Sequence, residues 1–489
     1  QTGNAILSFY SRINYKFKDR YLFGITARAD GSSRFSDNYR YGFFPSFSAG
    51  WIISEEKFIK NTKALNFLKL RASYGFTGND NIGDFTRFGV YTTGVGYAGS
   101  LALYPSTLAN TELRWEKAQM FDISVEYGLW NNRVSGSVTF FHKQSSDLLL
   151  PIQLPTSSGF STITVNAGAV NNWGFEIMLN TYNVSTKNFK WKSNLNFSSI
   201  RNKVTDVAGL PPDAFESGQP GEGRVIKGYP IGQTFVVRYA GVQQDDGTIT
   251  RYNTDGSVLT DASGNPVTVN IAAGEALYYD INGNYMAFGV DDNGTGSIST
   301  DDINRFTGSD FYDNRVPVGS PTPDFYAGIS NTLSYKFFEL DFLVNIAIGQ
   351  TIYDDPAKNQ IGNYNSFSQR HEILNTWTTE NQSSVPALNA STIPVNSDRF
   401  LYDASFIRLR SLTLSFNLPK KLCKKINFSS FKIYVTGYNL LTWTPYPGWD
   451  PEVLRHVAQN SQQENISFSG PSWQTPQARI IMFGIKAEL

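Results

Sequence analysis

FELDFLVNIAI, running from Phe338 to Ile348, sets Phe338, Leu340, Phe342, Val344, Ile346 and Ile348 on one phase and Glu339, Asp341 and Asn345 on the other. Side chains of an extended chain point alternately to opposite faces, so this is a strand with one apolar and one polar face. The same period recurs elsewhere. Phe121, Ile123, Val125, Tyr127 and Leu129 interleave with Asp122, Ser124, Glu126 and Gly128. Phe189, Trp191, Leu195 and Phe197 interleave with Lys190, Lys192, Asn194 and Asn196. The closing segment carries Ile481, Phe483, Ile485, Ala487 and Leu489 on one phase. In a soluble sandwich the apolar face would meet a core; in a membrane barrel it would meet lipid while the polar face lines a lumen. Alternation alone does not separate the two.

Composition favours lipid. Aromatic residues make up 15% of the 489 residues, charged residues only 17%, yet mean hydropathy is slightly negative at -0.29. Barrel walls give this combination, because half of each strand is polar and aromatic rings crowd the two interfaces. No run approaches the roughly 18 apolar residues that a membrane-crossing helix needs. Lys+Arg and Asp+Glu balance at 42 each, so charge points to no nucleic-acid partner. Cys423 is the only cysteine and reads as an incidental thiol, which rules out an internal disulfide and a Cys-based metal site. The N-terminus shows no signal peptide and enters a strand at Ala5, as an internal fragment would.

Thirteen strands are expected, near 5–17, 20–30, 43–53, 65–76, 116–129, 133–147, 172–181, 188–203, 323–336, 338–352, 403–417, 430–443 and 477–489. Their connections alternate short and long. The long ones are 31–42, 77–115, 148–171, 205–322, 353–402 and 444–476. Outer-membrane barrels have short periplasmic turns and long extracellular loops, so the alternation assigns sides and puts 205–322 and 353–402 outside the cell. The apolar stretch Phe235 to Val242 would break that alternation as a barrel strand and is assigned to the long loop. An odd number of antiparallel strands cannot close a barrel, so further strands are expected from sequence beyond these residues.

Two segments carry a specific resemblance. NSDRFLYDASFIRLRSLTLSFNLPKKL (Asn396 to Leu422) and SFKIYVTGYNLLTWTPYPGWDPE (Ser430 to Glu452) resemble stretches of SusC/RagA-type TonB-dependent transporters. So do RADGSSRFSDNYRYGFFPSFSAGWIISEE (Arg28 to Glu56), LKLRASYGFTGND (Leu68 to Asp80), GSPTPDFYAGISNTLSYKFFELDF (Gly319 to Phe342) and LNTWTTENQSSVPAL (Leu374 to Leu388). The resemblance implies an all-β transmembrane antiparallel barrel of 22 strands, of which these are the C-terminal thirteen. It also implies a plug domain absent from this sequence, a TonB contact through that missing segment, and a SusD-like surface lipoprotein that captures oligosaccharides or peptides. Such barrels commonly end on an aromatic residue, whereas this chain ends Ala487-Glu488-Leu489, with Leu489 keeping the outward apolar position.

Candidate chemistry is sparse. DDNGTGSISTDD, Asp291 to Asp302, resembles an EF-hand loop, with Asp291, Asn293, Thr295, Ser297 and Asp302 as oxygen ligands for Ca²⁺ and Gly296 at the sharp turn. YYDINGN, Tyr278 to Asn284, is a partial copy with Tyr285 where glycine is wanted. His142, His371 and His456 stand far apart, and no nucleophile or metalloprotease motif occurs, so no enzyme is expected. Arg408 and Arg410 interrupt a strand in which Ile407 and Leu409 hold one phase and Leu412, Leu414 and Phe416 the other, which predicts a bulge near Arg410. Both arginines should face the lumen or a plug, since charge at the lipid midplane is costly. Tyr91, Tyr97, Tyr104, Trp443, Tyr446 and Trp449 are substrate-stacking candidates by location, with interface girdle or loop packing as the plainer reading. The leading function is TonB-dependent import; a passive porin and a soluble adhesin are the alternatives.

Overall fold

The computed structural model describes residues 3–59, 62–97, 100–160, 162–210, 223–253, 255–287, 314–362, 368–388, 395–452 and 475–488. Thirteen strands form one antiparallel sheet in which each pairs with its sequence neighbours. They are β1 (Ile6–Phe17), β2 (Tyr21–Ser32), β3 (Tyr41–Ile52), β4 (Leu65–Asn79), β5 (Glu116–Leu129), β6 (Val134–Ser146) and β7 (Ala169–Ser185). β8 (Phe189–Asp206), β9 (Phe325–Tyr335), β10 (Phe338–Ile348), β11 (Phe406–Asn417), β12 (Ser430–Trp443) and β13 (Ile480–Glu488) complete it. All thirteen expected strands are present, and β1 and β13 are edges, so the sheet is open. The tight turns need backbone that most residues avoid: Lys18 and Asp19 sit at φ 51° and 55°, and Trp130, Asn131 and Asn132 at 49°, 57° and 59°.

Register shows what the alternation builds. Following partners across the sheet, Phe17, Tyr21, Trp51, Leu70, Val125, Val138, Ile177, Phe197, Ala327, Ile346, Ile407 and Trp443 lie side by side from β1 to β12. Every member of this row is apolar, and directly opposed residues share a face. A sandwich would bury such a face; here Phe9, Ile13, Phe175 and Phe483 are 61%, 63%, 52% and 81% exposed. The other face carries polar ladders. Lys69 reaches Glu126 at 3.1 Å, Thr332 donates to Asp341 at 2.6 Å, and Lys432 reaches Glu339 at 2.8 Å.

The bulge lies where the phases conflict. Opposite β10 the register jumps from Leu343↔Ser411 to Val344↔Leu409, leaving Arg410 unpaired, and β12 answers with a break between Tyr438 and Leu441 at Asn439, φ 51°. The extra residue returns Leu412 to the apolar face already held by Leu409.

Phe235 to Val242 is outside the thirteen-stranded sheet. Gln233–Val236 pairs with Gly223–Arg224 and Val316–Val318, and Arg238–Val242 pairs with Ala276–Tyr279. The insertion has its own core of Val237, Val269, Ile271, Leu277, Tyr278 and Ala287. A second core joins it to the next long loop, packing Val236 against Tyr353, Ala357, Ile361 and Phe400. A parallel bridge between Val237 and Ser397 seals the seam. The two long loops, separate in the sequence reading, are thus one packed unit. Two helices were also absent from that reading: α1 (Asp355–Gly362) and α2 (Lys420–Lys425), the latter burying Cys423, whose thiol donates to the Leu418 carbonyl at 3.3 Å.

Gly274 holds the two loops in register. At φ 90°, a Cβ there would lie 2.6 Å from Trp377 and 2.7 Å from Ala387, and its carbonyl accepts the Ala387 amide at 2.8 Å. Gly274→Val is therefore expected to cost 2 kcal/mol or more, from the combination of left-handed backbone and overpacking, at about 1–3 kcal/mol each. Hydrogen exchange should then accelerate in 376–388 while the barrel strands stay protected.

Candidate functional site

Arg408 and Arg410 lie near the edge of the sheet where β10 and β12 end and β11 begins. Arg408 lies on the polar face, opposite Asn345 and Thr442, and is 2% exposed. A buried guanidinium needs a counter-charge. Asp450, from the segment after β12, supplies it by bonding Nη2, and Glu452 Oε2 lies 2.9 Å from Nη1. That second contact is ionic without hydrogen-bond alignment, and among the described residues Nε has no hydrogen-bond partner. Arg410, aimed to the same side by the bulge, also reaches Glu452 at 2.9 Å and bonds Gln477. Both arginines therefore lie on the polar side of the sheet, with Glu452 between them. No local pattern marks their acidic partners, which lie in Trp449-Asp450-Pro451-Glu452.

A second buried centre adjoins the first. Asp354, fully buried, receives Arg370 at 2.9 Å, the Ala357 amide at 3.0 Å and the Tyr446 hydroxyl at 2.8 Å. Burial, with the Asp354 charge behind it, pushes the Tyr446 phenol far above its usual range, so it stays a donor. Burial likewise pushes Tyr239 in the insertion up to about 12.

The aromatic candidates are scattered. Tyr91 and Tyr104 lie on a hairpin of Tyr91–Tyr97 and Ser100–Pro105, with Tyr97 opposite Ser100; Tyr91 and Tyr104 are exposed. Trp443 opposes Ile407 and so stands on the apolar face, away from the polar wall. Tyr446 is buried and committed to Asp354, whereas Trp449 is 72% exposed. Only Tyr446 and Trp449 share an element with the arginine partners.

Asp291, Asn293, Thr295, Ser297 and Asp302 lie outside the described residues, as does His456. In the partial copy, Asp280 Oδ1 accepts the amides of Asn282 at 2.9 Å and Asn284 at 2.7 Å, so that carboxylate is occupied in shaping a hairpin turn. Among the described residues no group of three or more His, Cys, Asp or Glu could hold a metal ion.

At the loop seam, Asp398 accepts the Tyr239 amide at 2.6 Å, and burial raises its carboxyl above the ordinary range. A folded-state pKa above the unfolded one gives stability that is fully present below the unfolded value and is lost as pH rises through the folded value. Asp398→Asn is expected to remove that loss, leaving the seam's hydrogen-exchange protection the same below the ordinary carboxyl value of 3.8 as at neutral pH. A pH dependence as steep as the parent's would refute the assignment.

The chain matches the family described as TonB dependent receptor-like, beta-barrel, over residues 1–285. TonB-dependent receptor P26 of Formosa agariphila is 35% identical over 464 residues, covering 92% of this chain and 43% of the relative. TonB-dependent receptor SusC of Bacteroides thetaiotaomicron is 28% identical, covering 96% and 43%. The solved RagAB peptide transporter is 26% identical with a TM-score of 0.76, covering 99% of this chain and 48% of that one. The chain thus spans less than half the length of these relatives.

Proposed function

The chain belongs to the TonB-dependent receptor β-barrel family of the outer membrane, and from that premise we propose that it is the C-terminal wall of a nutrient importer. The observation that carries this reading is the apolar row from Phe17 to Trp443, unbroken across twelve strands and matched by polar ladders behind it. Facing outward, that row meets lipid; facing inward, the ladders line an aqueous lumen. The remaining strands needed to close the wall, about nine in a 22-stranded barrel, and the plug belong to the other half of a longer protein. TonB would act through that plug.

The cargo is an oligosaccharide or a peptide, delivered by a SusD-like surface lipoprotein. Likeness to the RagAB peptide transporter supports the peptide arm. Long connections on one side of the sheet, including the unit in which Val236 packs against Tyr353, Ala357, Ile361 and Phe400, suit an extracellular mouth where a lipoprotein would rest. A Ca²⁺ ion on Asp291 to Asp302 remains part of the proposal; Asp291→Ala with Asp302→Ala should abolish Ca²⁺ binding measured by calorimetry, and unchanged binding would remove that site.

The function is tested by uptake of labelled peptide and oligosaccharide pools in cells carrying the full-length gene, with and without TonB. Energised import predicts at least tenfold less uptake without TonB. Equal uptake in both strains would make the barrel a passive porin instead. A detergent pull-down should recover the lipoprotein with the barrel.

A further inference from the structure

The segment after β12 does not lead away from the barrel. It turns back over the polar face, and we propose that residues 444–452 form a single inward strap, fixed across the mouth end of β10–β12 and released only as a unit. The proposal takes from the barrel reading only that the polar face is the lumen.

Three anchors hold it. Thr444 donates from Oγ1 to the Ser405 carbonyl at 2.8 Å, tying the strap's start to the start of β11. Tyr446 is pinned in the middle by its hydroxyl on Asp354, and its ring lies over Gly448, where a Cβ would come within 2.3 Å. At the far end Asp450 and Glu452 take the two arginines of β11, and Asp450 Oδ2 also accepts the Gln477 amide at 3.1 Å, closing the strap against the approach to β13. Pro445, Pro447 and Pro451 limit the conformations the freed segment could gain, so little entropy opposes the bound state. Because Arg408 sits on the polar face and is almost fully covered, the strap must lie on that face and narrow the lumen beside β11.

The anchors are coupled through one short, stiff segment, which makes release cooperative. Neutralising the arginine partners should therefore also uncover Tyr446, some five residues away and bonded to a different group. A flexible loop with independent contacts would not behave so.

The test is hydroxyl-radical footprinting of the full-length protein in lipid nanodiscs, read by mass spectrometry. In the parent, Trp449 at 72% exposed should oxidise at least tenfold faster than Tyr446 at 5% exposed. In Asp450→Asn with Glu452→Gln, Tyr446 oxidation should rise at least fivefold while Tyr353, in the neighbouring loop core, stays protected. The proposal falls if Tyr446 already reacts like Trp449 in the parent, or if it stays protected in a folded double variant. Should that variant not fold, Glu452→Gln alone takes its place under the same two readouts. A barrel that fails to insert in nanodiscs counts against the membrane reading, not against the strap.

Discussion

Arg408→Met is expected to destabilise the mouth end of β11 by about 3–5 kcal/mol, the usual cost of breaking a buried ion pair by removing one partner. The loss comes less from the missing arginine than from what it leaves behind. Asp450 is 6% exposed and would be left without a guanidinium, while Glu452 would keep Arg410 and the Gln477 side-chain amide. Adding Asp450→Leu should recover much of the cost, since an apolar replacement of the pair leaves no orphaned charge. A double-mutant cycle on urea unfolding of the full-length protein in bilayers measures the coupling. Additive effects of the two substitutions would show that the pair contributes nothing specific.

Ile177→Arg should cost about 2–4 kcal/mol, the penalty for arginine on the lipid face near the bilayer midplane. Ile177 is the middle residue of β7 and lies in the apolar row between Val138 and Phe197. Converted at about 1.4 kcal/mol per decade, the penalty is about 30- to 700-fold in the folding equilibrium. Ser198→Arg is the control: on the polar face, opposite Glu176, it should be nearly neutral. Folding is read by heat-modifiable gel mobility and urea titration. If arginine is tolerated at 177 and harmful at 198, the two faces have been assigned the wrong way round.

How much of this was legible beforehand varies by element. The thirteen strands were, because a period-two pattern is written in each strand independently and does not depend on what it pairs with. The bulge at Arg410 was legible for the same reason: a change of phase between Leu409 and Leu412 is a local record of one extra residue. Some short features were not. Lys420–Lys425 carries four lysines in six residues and gives no clear apolar periodicity, so its single helical turn and the burial of Cys423 left little trace. The paired loop strands are two to seven residues long, too short for alternation to stand out.

Sites were less legible than strands. Arg408 announced itself by being a charge inside an apolar strand, but Asp450 and Asp354 are carboxylates in polar loops, where most carboxylates are solvated. Their importance comes from burial, which is a property of the packed loops. Tyr446 and Trp449, three residues apart and equally plausible as binding aromatics, were separated only by the fold: one is buried over Gly448 and bonded to Asp354, the other open.

By itself, then, the sequence determined the strands, their two faces and the position of the bulge, since each follows from local stereochemistry and the period of the alternation. Tertiary structure alone decided that Val236 shares a core with Tyr353, Ala357, Ile361 and Phe400, that Val237 pairs with Ser397, and that the segment after β12 folds back onto Arg408. Those contacts join residues 40 to 160 positions apart, and no local pattern encodes which buried carboxylate meets which buried cation. Complementary packing selects the partner, and it exists only once the loops have closed on one another.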